Sequence, residues 1–211
     1  MQPSAGLPEL LHRTLLTCGI LAALLYAGTD ILAGLLTRGY NLAAQSASAL
    51  SAVGAPARPL VLPLNVVAHA LLIAFAVGVW SSADRNWALR AMACLLAGNA
   101  LLALVATAFF PPHIAEAGNL VDNAPFVTLM ATSVLCFVLA IAFGAAGNHN
   151  WLRYGSLGVL LLFVGGGILA ALISRAAPGS RPEPLVGAQQ RTMIYAEMLW
   201  LALQAVVLLR A

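Results

Sequence analysis

YAGTDILAGLLTRGYNLAAQSASALSAVGAPARPLVLPLNVVAH (Tyr26–His69) is the stretch whose reading decides the fold. It leaves one apolar run through Tyr26 and Asp30 and crosses a segment rich in Ser, Ala, Gly and Pro (Arg38–Pro59). It then enters a second apolar run through Asn65 and His69. A carboxylate and an imidazole inside such runs are costly to expose to hydrocarbon, so residues of this kind face a protein interior or a wet cavity. The pattern is span, loop, span, with a polar layer just below the loop.

Composition carries the same reading to the rest of the chain. The 211 residues are 62% hydrophobic and 8% charged, with a mean hydropathy of +0.93, whereas soluble domains carry about 25% charged residues. A membrane span needs about 20 mostly apolar residues. Six segments qualify: Thr14–Leu36, Leu60–Trp80, Ala88–Phe110, Pro125–Gly147, Gly155–Ser174 and Thr192–Arg210. The expectation is an all-α, six-span transmembrane helix bundle built by residues 1–211 as one domain. A short interfacial helix is expected between spans one and two, because Leu42, Ala49, Leu50 and Val53 fall at helical spacing before the stop signal of Gly54 and Pro56. The first apolar run continues to Leu36, which favours a retained helix over a cleaved signal peptide.

The formal charge of +3 comes from ten arginines and no lysine. They are scattered among the loops and form no basic stripe, which argues against a nucleic-acid surface. Membrane lipids are the expected partners, a homo-oligomer is left open, and a cell membrane of the prokaryotic plasma-membrane kind is the expected location. Six spans put both termini on one side. With the N-terminus inside, the arginines divide five to five between the two faces, so the positive-inside rule gives no majority. The short flanks of Arg13, Arg85 and Arg153 lean toward N-inside.

Loop lengths add a second asymmetry. The connections after spans two and four are short, whereas those after spans one, three and five are long, and all three lie on one face. Pro111-Pro112 ends span three, and Pro178–Pro184 makes a stiff turn before span six. At about 1.5 Å per helical residue, Asp30, Asn65 and Glu197 each sit roughly 8–9 Å below that face. Tyr26 and Asp30 share a helix face at i, i+4, as do Asn65 and His69. Glu197, Trp200 and Gln204 form a stripe on span six. Thr128, Thr132 and Cys136 make a milder ladder on span four, Asn99 adds an amide at mid-depth, and His113 could cap the layer from the third loop. Span five holds Gly155, Gly158 and Gly165-Gly166-Gly167, a composition suited to close helix approach.

The stretch SALSAVGAPARPLVLPLN (Ser48–Asn65) resembles the corresponding loop and second span of the DUF998 family of bacterial and archaeal integral membrane proteins. The resemblance extends to Tyr26–Asp30, to Gly39-Tyr40, to Phe109–Pro111 and to GAQQRTMIYAEMLW (Gly187–Trp200). It implies a six-span bundle with its recurring polar motifs on one face, and no activity, since the family's function is unknown. Relatives would place a His near the start of span four, where this chain has Phe126-Val127-Thr128.

The candidate ligand-binding set is Asp30, Asn65, His69, Glu197, Tyr26, Tyr195, Arg38, Arg58, Arg191 and His113. In the favoured picture a lipid headgroup or small amphipathic molecule enters between spans one, two and six, its anionic part meeting Arg38, Arg58 and Arg191, while glycine-rich span five admits acyl chains. One rival is an intramembrane enzyme using Asp30 and Glu197 with His69 or His113. Another is a cation- or proton-coupled transporter with a polar path through Asn99 and Gln204. A third is a structural protein in which Asp30 and Glu197 pair with Arg38 or Arg191. No HxxxH or HxxE spacing, nucleophile elbow or phosphate loop occurs. Cys18, Cys94 and Cys136 lack metal or disulfide spacing. Neither cofactor nor resident metal is therefore expected.

Overall fold

A computed structural model describes residues 8–114, 120–121, 123–148, 151–176 and 186–210, the side chains of 120–121 and 169–176 excepted. Its helices are α1 (Glu9–Leu36), α2 (Ser48–Ser51), α3 (Arg58–Ser82), α4 (Trp87–Phe109), α5 (Ala124–Gly147), α6 (Trp151–Ala176) and α7 (Val186–Arg210). All except α2 are long and apolar enough to cross a membrane, as the sequence predicts. β1 (His113–Ile114) and β2 (Leu120–Val121) form a minimal antiparallel ladder in the loop after α4. The Pro178–Pro184 turn lies outside the described residues.

Two asparagines set the ends of the central helices. Asn86 accepts from the N–H groups of Ala88 and Leu89, capping α4, and donates to Gly147 O at the end of α5 (3.0 Å). Asn123 caps α5 through Phe126 N (2.8 Å) and donates to Phe110 O and Pro111 O just past α4. Each side chain thus satisfies free N–H groups at one helix start and a carbonyl beyond another helix's last turn. The antiparallel pair α4–α5 is pinned at both ends.

Each long helix packs against its neighbour in sequence, and α7 returns to α1, so the six form a closed ring. The core of the ring toward the short-loop end is Leu16, Phe75, Met92, Phe137, Trp200 and Leu201 with their neighbours. Glycine lets the backbones close in there: a Cβ on Gly19 would stand 2.7 Å from Phe75, and one on Gly144 would stand 2.8 Å from Trp200. Trp200 packs edge-on to Phe137 (5.6 Å between centroids) and donates its Nε1–H to Ser156 Oγ (2.8 Å). This half of the ring is filled.

The outside is apolar, with Leu35, Leu161 and Phe109 at 71, 73 and 74% exposure. Such a surface suits lipid rather than water. Helix α6 is the most peripheral member: from Trp151 to Ile168 only Leu152 and Ser156 are buried. Its glycines at 155, 158, 165 and 167 meet nothing within 4 Å, and only Gly166 faces a neighbour, Met193. Close helix approach therefore explains one of the five.

One departure from the sequence reading matters for the site: helix α7 begins at Val186 instead of Thr192, which draws Arg191 into the helix. The short helix expected between spans one and two is α2, a single turn at Ser48–Ser51. Leu42 folds down onto α1, where Gly34 leaves room for it.

Candidate functional site

The polar layer resolves into two neighbouring constellations with different chemistry. The first is a clasp between α1, α7 and the loop joining α1 to α3. Arg191, 5% exposed, has five N–H groups, and each has an acceptor. Nε donates to Asp30 Oδ2 (2.8 Å) and Nη2 to Asp30 Oδ1 (3.1 Å), a bidentate pair. Nη2 also donates to Tyr40 Oη (2.6 Å), and Nη1 to Leu42 O (2.6 Å) and Gln45 O (2.7 Å). Asp30 accepts a third bond, from Tyr195 Oη (2.6 Å). The Tyr40 hydroxyl donates onward to Ser46 O (2.7 Å). Burial pushes the Tyr40 phenol above its usual range against the pull of Arg191, so it keeps that proton at neutral pH.

The clasp adds polar ties to a loop that also buries Leu50, Ala52 and Ala57. Asn41 Oδ1 accepts from Ala43 N and Ala44 N, a side-chain turn. Gln190 Oε1 accepts from Ala47 N (3.0 Å), and Ala43 O accepts from Ala188 N (2.8 Å). Further along, Arg58 donates from Nη1 to Ser51 O. Val53 exchanges backbone bonds with Pro112 O and Ile114 N, joining this loop to the one after α4. The long loops thus fold over one end of the ring.

Beneath them lies the second constellation, a cavity of about 310 Å³. Its roof includes Ala47, Ser48 and Ser51 from the loop. The polar wall includes Tyr26, Asn65, His69, Asn99, Ser133 and Glu197, and apolar groups such as Leu72, Phe126, Met130, Phe137, Phe163 and Leu201 complete it. His69 Nδ1 lies 2.6 Å from the carbonyl of Asn65. A carbonyl only accepts, so Nδ1 carries the proton, and in the neutral ring Nε2 is left as an acceptor. Asn99 donates Nδ2–H to Ser133 O and Oγ (3.0 and 2.9 Å), and its Oδ1 has no hydrogen-bond partner among the described residues. Tyr26 packs edge-on to His69 (6.2 Å). The Glu197 carboxylate has no hydrogen-bond or ion-pair partner among the described residues.

Of the residues singled out in the sequence, Tyr26, Asn65, His69 and Glu197 meet around this cavity. Asp30, Tyr195 and Arg191 belong to the clasp instead, where the bonds of Arg191 leave no N–H for an anionic headgroup. Asp30 adjoins the cavity through a small recess shared with Tyr26 and Asn65. Arg38 is exposed, Arg58 is half-buried in the loop, and His113 is exposed on β1. Thr128 and Thr132 bond back to carbonyls of their own helix (2.9 and 2.8 Å) and are exposed. The cavity face of α5 is Phe126, Met130, Ser133 and Phe137, a stripe at i, i+4, i+7 and i+11 that sequence reasoning passed over for the threonines. Gln204 lies beyond Trp200, buried and held by Asn148 Nδ2 (3.3 Å), so the cavity does not continue through it. No three of His, Cys, Asp and Glu gather as a metal-binding group among the described residues.

Six apolar helices in a ring with a loop-capped end define a multi-pass helical membrane protein. Residues 20–207 match the family model described as protein of unknown function (DUF998). The chain belongs to the DUF998 family. No curated protein and no solved structure matches it.

Proposed function

We propose that the protein binds a small amphipathic molecule, such as a lipid with a compact headgroup, inside the bundle. The observation that carries this reading is a cavity holding a carboxylate unpartnered among the described residues, three amide side chains and an imidazole acceptor beside an apolar wall. A volume of about 310 Å³ falls at the lower end of the ~300–1,000 Å³ typical of ligand pockets. Polar groups on one side and Leu72, Phe126, Phe137 and Phe163 on the other match a ligand with one polar end. Helix α6 contributes Phe163 and is otherwise the least buried wall, which suits entry from the bilayer side. The chain's resemblance to a family of bacterial and archaeal membrane proteins favours a prokaryotic cell membrane as its setting.

Native mass spectrometry of protein released from mild detergent tests the reading. Wild type is expected to carry an adduct of defined mass. Ala68→Leu, which adds bulk at a wall residue 3% exposed, is expected to lose most of it while remaining folded. A wild-type protein that is folded and adduct-free, even after incubation with total membrane lipid, would count against the reading.

The intramembrane enzyme is less well supported. Asp30 and Glu197 do not face one another as an acid/base pair, because Asp30 is bonded three times within the clasp. The clasp does favour a structural role for that one pair, alongside ligand binding in the cavity.

A further inference from the structure

The cavity's chemistry narrows the ligand, on the assumption that the cavity is a binding site at all. We infer that its polar end is a cation with N–H groups, a primary or secondary ammonium on an apolar tail, held by Glu197 and His69. Three observations point this way. Among the described residues no Arg or Lys lines the cavity: Arg191 is saturated in the clasp, and Arg58 turns to Ser51 O. An anionic headgroup would enter with no cation to meet it and one carboxylate to repel it. Next, the strongest groups without a partner accept rather than donate: both Glu197 oxygens and His69 Nε2, with Asn99 Oδ1 beside them. Among the described residues, the side-chain donors on the wall are neutral amides, hydroxyls and the His69 Nδ1–H already given to Asn65 O. An ammonium supplies N–H groups to several acceptors at once, and its bond to a carboxylate is about twice as strong as a neutral one.

The third observation is the wall itself. Tyr26, Phe126, Phe137 and Phe163 place four aromatic rings around the same space, and ring faces attract ammonium groups. A lone carboxylate in a low-dielectric site must hold a proton or meet a positive partner. Among the described residues there is no such partner, so without a ligand the carboxyl holds its proton, and a cationic ligand is the class that lets it ionise. A neutral alcohol could use the acceptors but leaves the carboxyl protonated and forgoes the charge-assisted bond.

Three probes with one tail separate the possibilities: decylamine, decanol and decyl phosphate, each titrated into the full-length protein in lipid nanodiscs. Bound stoichiometry is read by native mass spectrometry and thermal stability by intrinsic fluorescence. Decylamine is expected to bind one per chain and raise the Tm. Glu197→Gln is expected to weaken it at least about tenfold, the equivalent of one charge-assisted bond. His69→Gln, which keeps an acceptor, should weaken it less than His69→Leu. Unliganded melting of each variant, compared with wild type, separates lost binding from lost folding. Equal or tighter binding of decyl phosphate or decanol overturns the cationic class and leaves the cavity reading standing. Decylamine binding untouched by Glu197→Gln overturns it too. If none of the three binds and Ala68→Leu changes no native adduct, the cavity reading falls with it.

Discussion

Arg191 meets six acceptors, and four of them are outside Asp30, which makes its loss different from the loss of an ordinary ion pair. Breaking a buried pair by removing one partner costs about 3–5 kcal/mol, while replacing both partners with apolar groups is often neutral. Asp30→Asn is therefore expected to lower stability by about 3 kcal/mol, and Arg191→Met by more. The double variant Asp30→Leu/Arg191→Met is where the two accounts part. A simple pair would recover most of the loss. Here Leu42 O loses its donor, at about 1–3 kcal/mol for a buried acceptor left unpaired, and Gln45 O keeps only the Tyr40 hydroxyl, so the double variant should stay below wild type. Melting in detergent decides it, and full recovery would mean that the loop does not depend on Arg191. Hydropathy alone could not have found this arrangement. A span read from apolar windows stops at a charge, which put Arg191 outside span six, and the carboxylate that lets the helix continue is 161 residues away. The cavity residues were more legible, since Asn65, His69 and Glu197 could be brought together by helical spacing and depth.

The loop from Thr37 to Ala57 shows how an element can depend on another element. Its apolar residues predict a short helix, which the chain forms as one turn at Ser48–Ser51, and the stretch before it lies across the start of α7. Contact there is backbone to backbone. A Cβ on Gly187 would collide with Gln45 O and Leu42 O, and with Ala43 O at 2.9 Å. Overpacking of this kind costs about 1–3 kcal/mol, and because neither backbone can yield, Gly187→Ala is expected at the upper end of that range. Gly166→Ala makes the useful comparison. Its Cβ would meet the methyl of Met193, the mobile end of an adaptable side chain, so the cost should stay below about 1 kcal/mol. Limited proteolysis of the 37–57 segment should accelerate in Gly187→Ala and not in Gly166→Ala. Equal protection in both variants would show that the loop is held from elsewhere. Sequence patterning registers a helix's own periodicity and not which glycine accepts a neighbouring strand of backbone, so this contact had no signature to read.

Ring closure and an even number of spans fix the sidedness of the whole molecule up to one choice. The start of α1, the end of α7 and the short-loop ends of the helices between them lie on one face, and the loops that roof the cavity lie on the other. The arginine tally of five to five leaves that choice open, but Arg191 is not a free flanking charge. It lies within α7, paired to Asp30, and setting it aside leaves five against four in favour of the N-terminal face inside. The cavity would then open beneath the outer loops. Replacing Cys18, Cys94 and Cys136 by alanine gives a background for single reporters at Arg38 and Arg85, both exposed. A membrane-impermeant maleimide added to intact cells is expected to label Arg38→Cys, and to label Arg85→Cys only after the membrane is opened. The reverse pattern would turn the molecule over and place the roofed end of the cavity in the cytoplasm, leaving the ring and the clasp as they are. Labelling of both from one side would be more serious, because Arg38 and Arg85 are separated by a single span, α3. That result would mean α3 does not cross the bilayer. Since α3 carries Asn65 and His69, the depth at which a ligand meets Glu197 would have to be argued afresh.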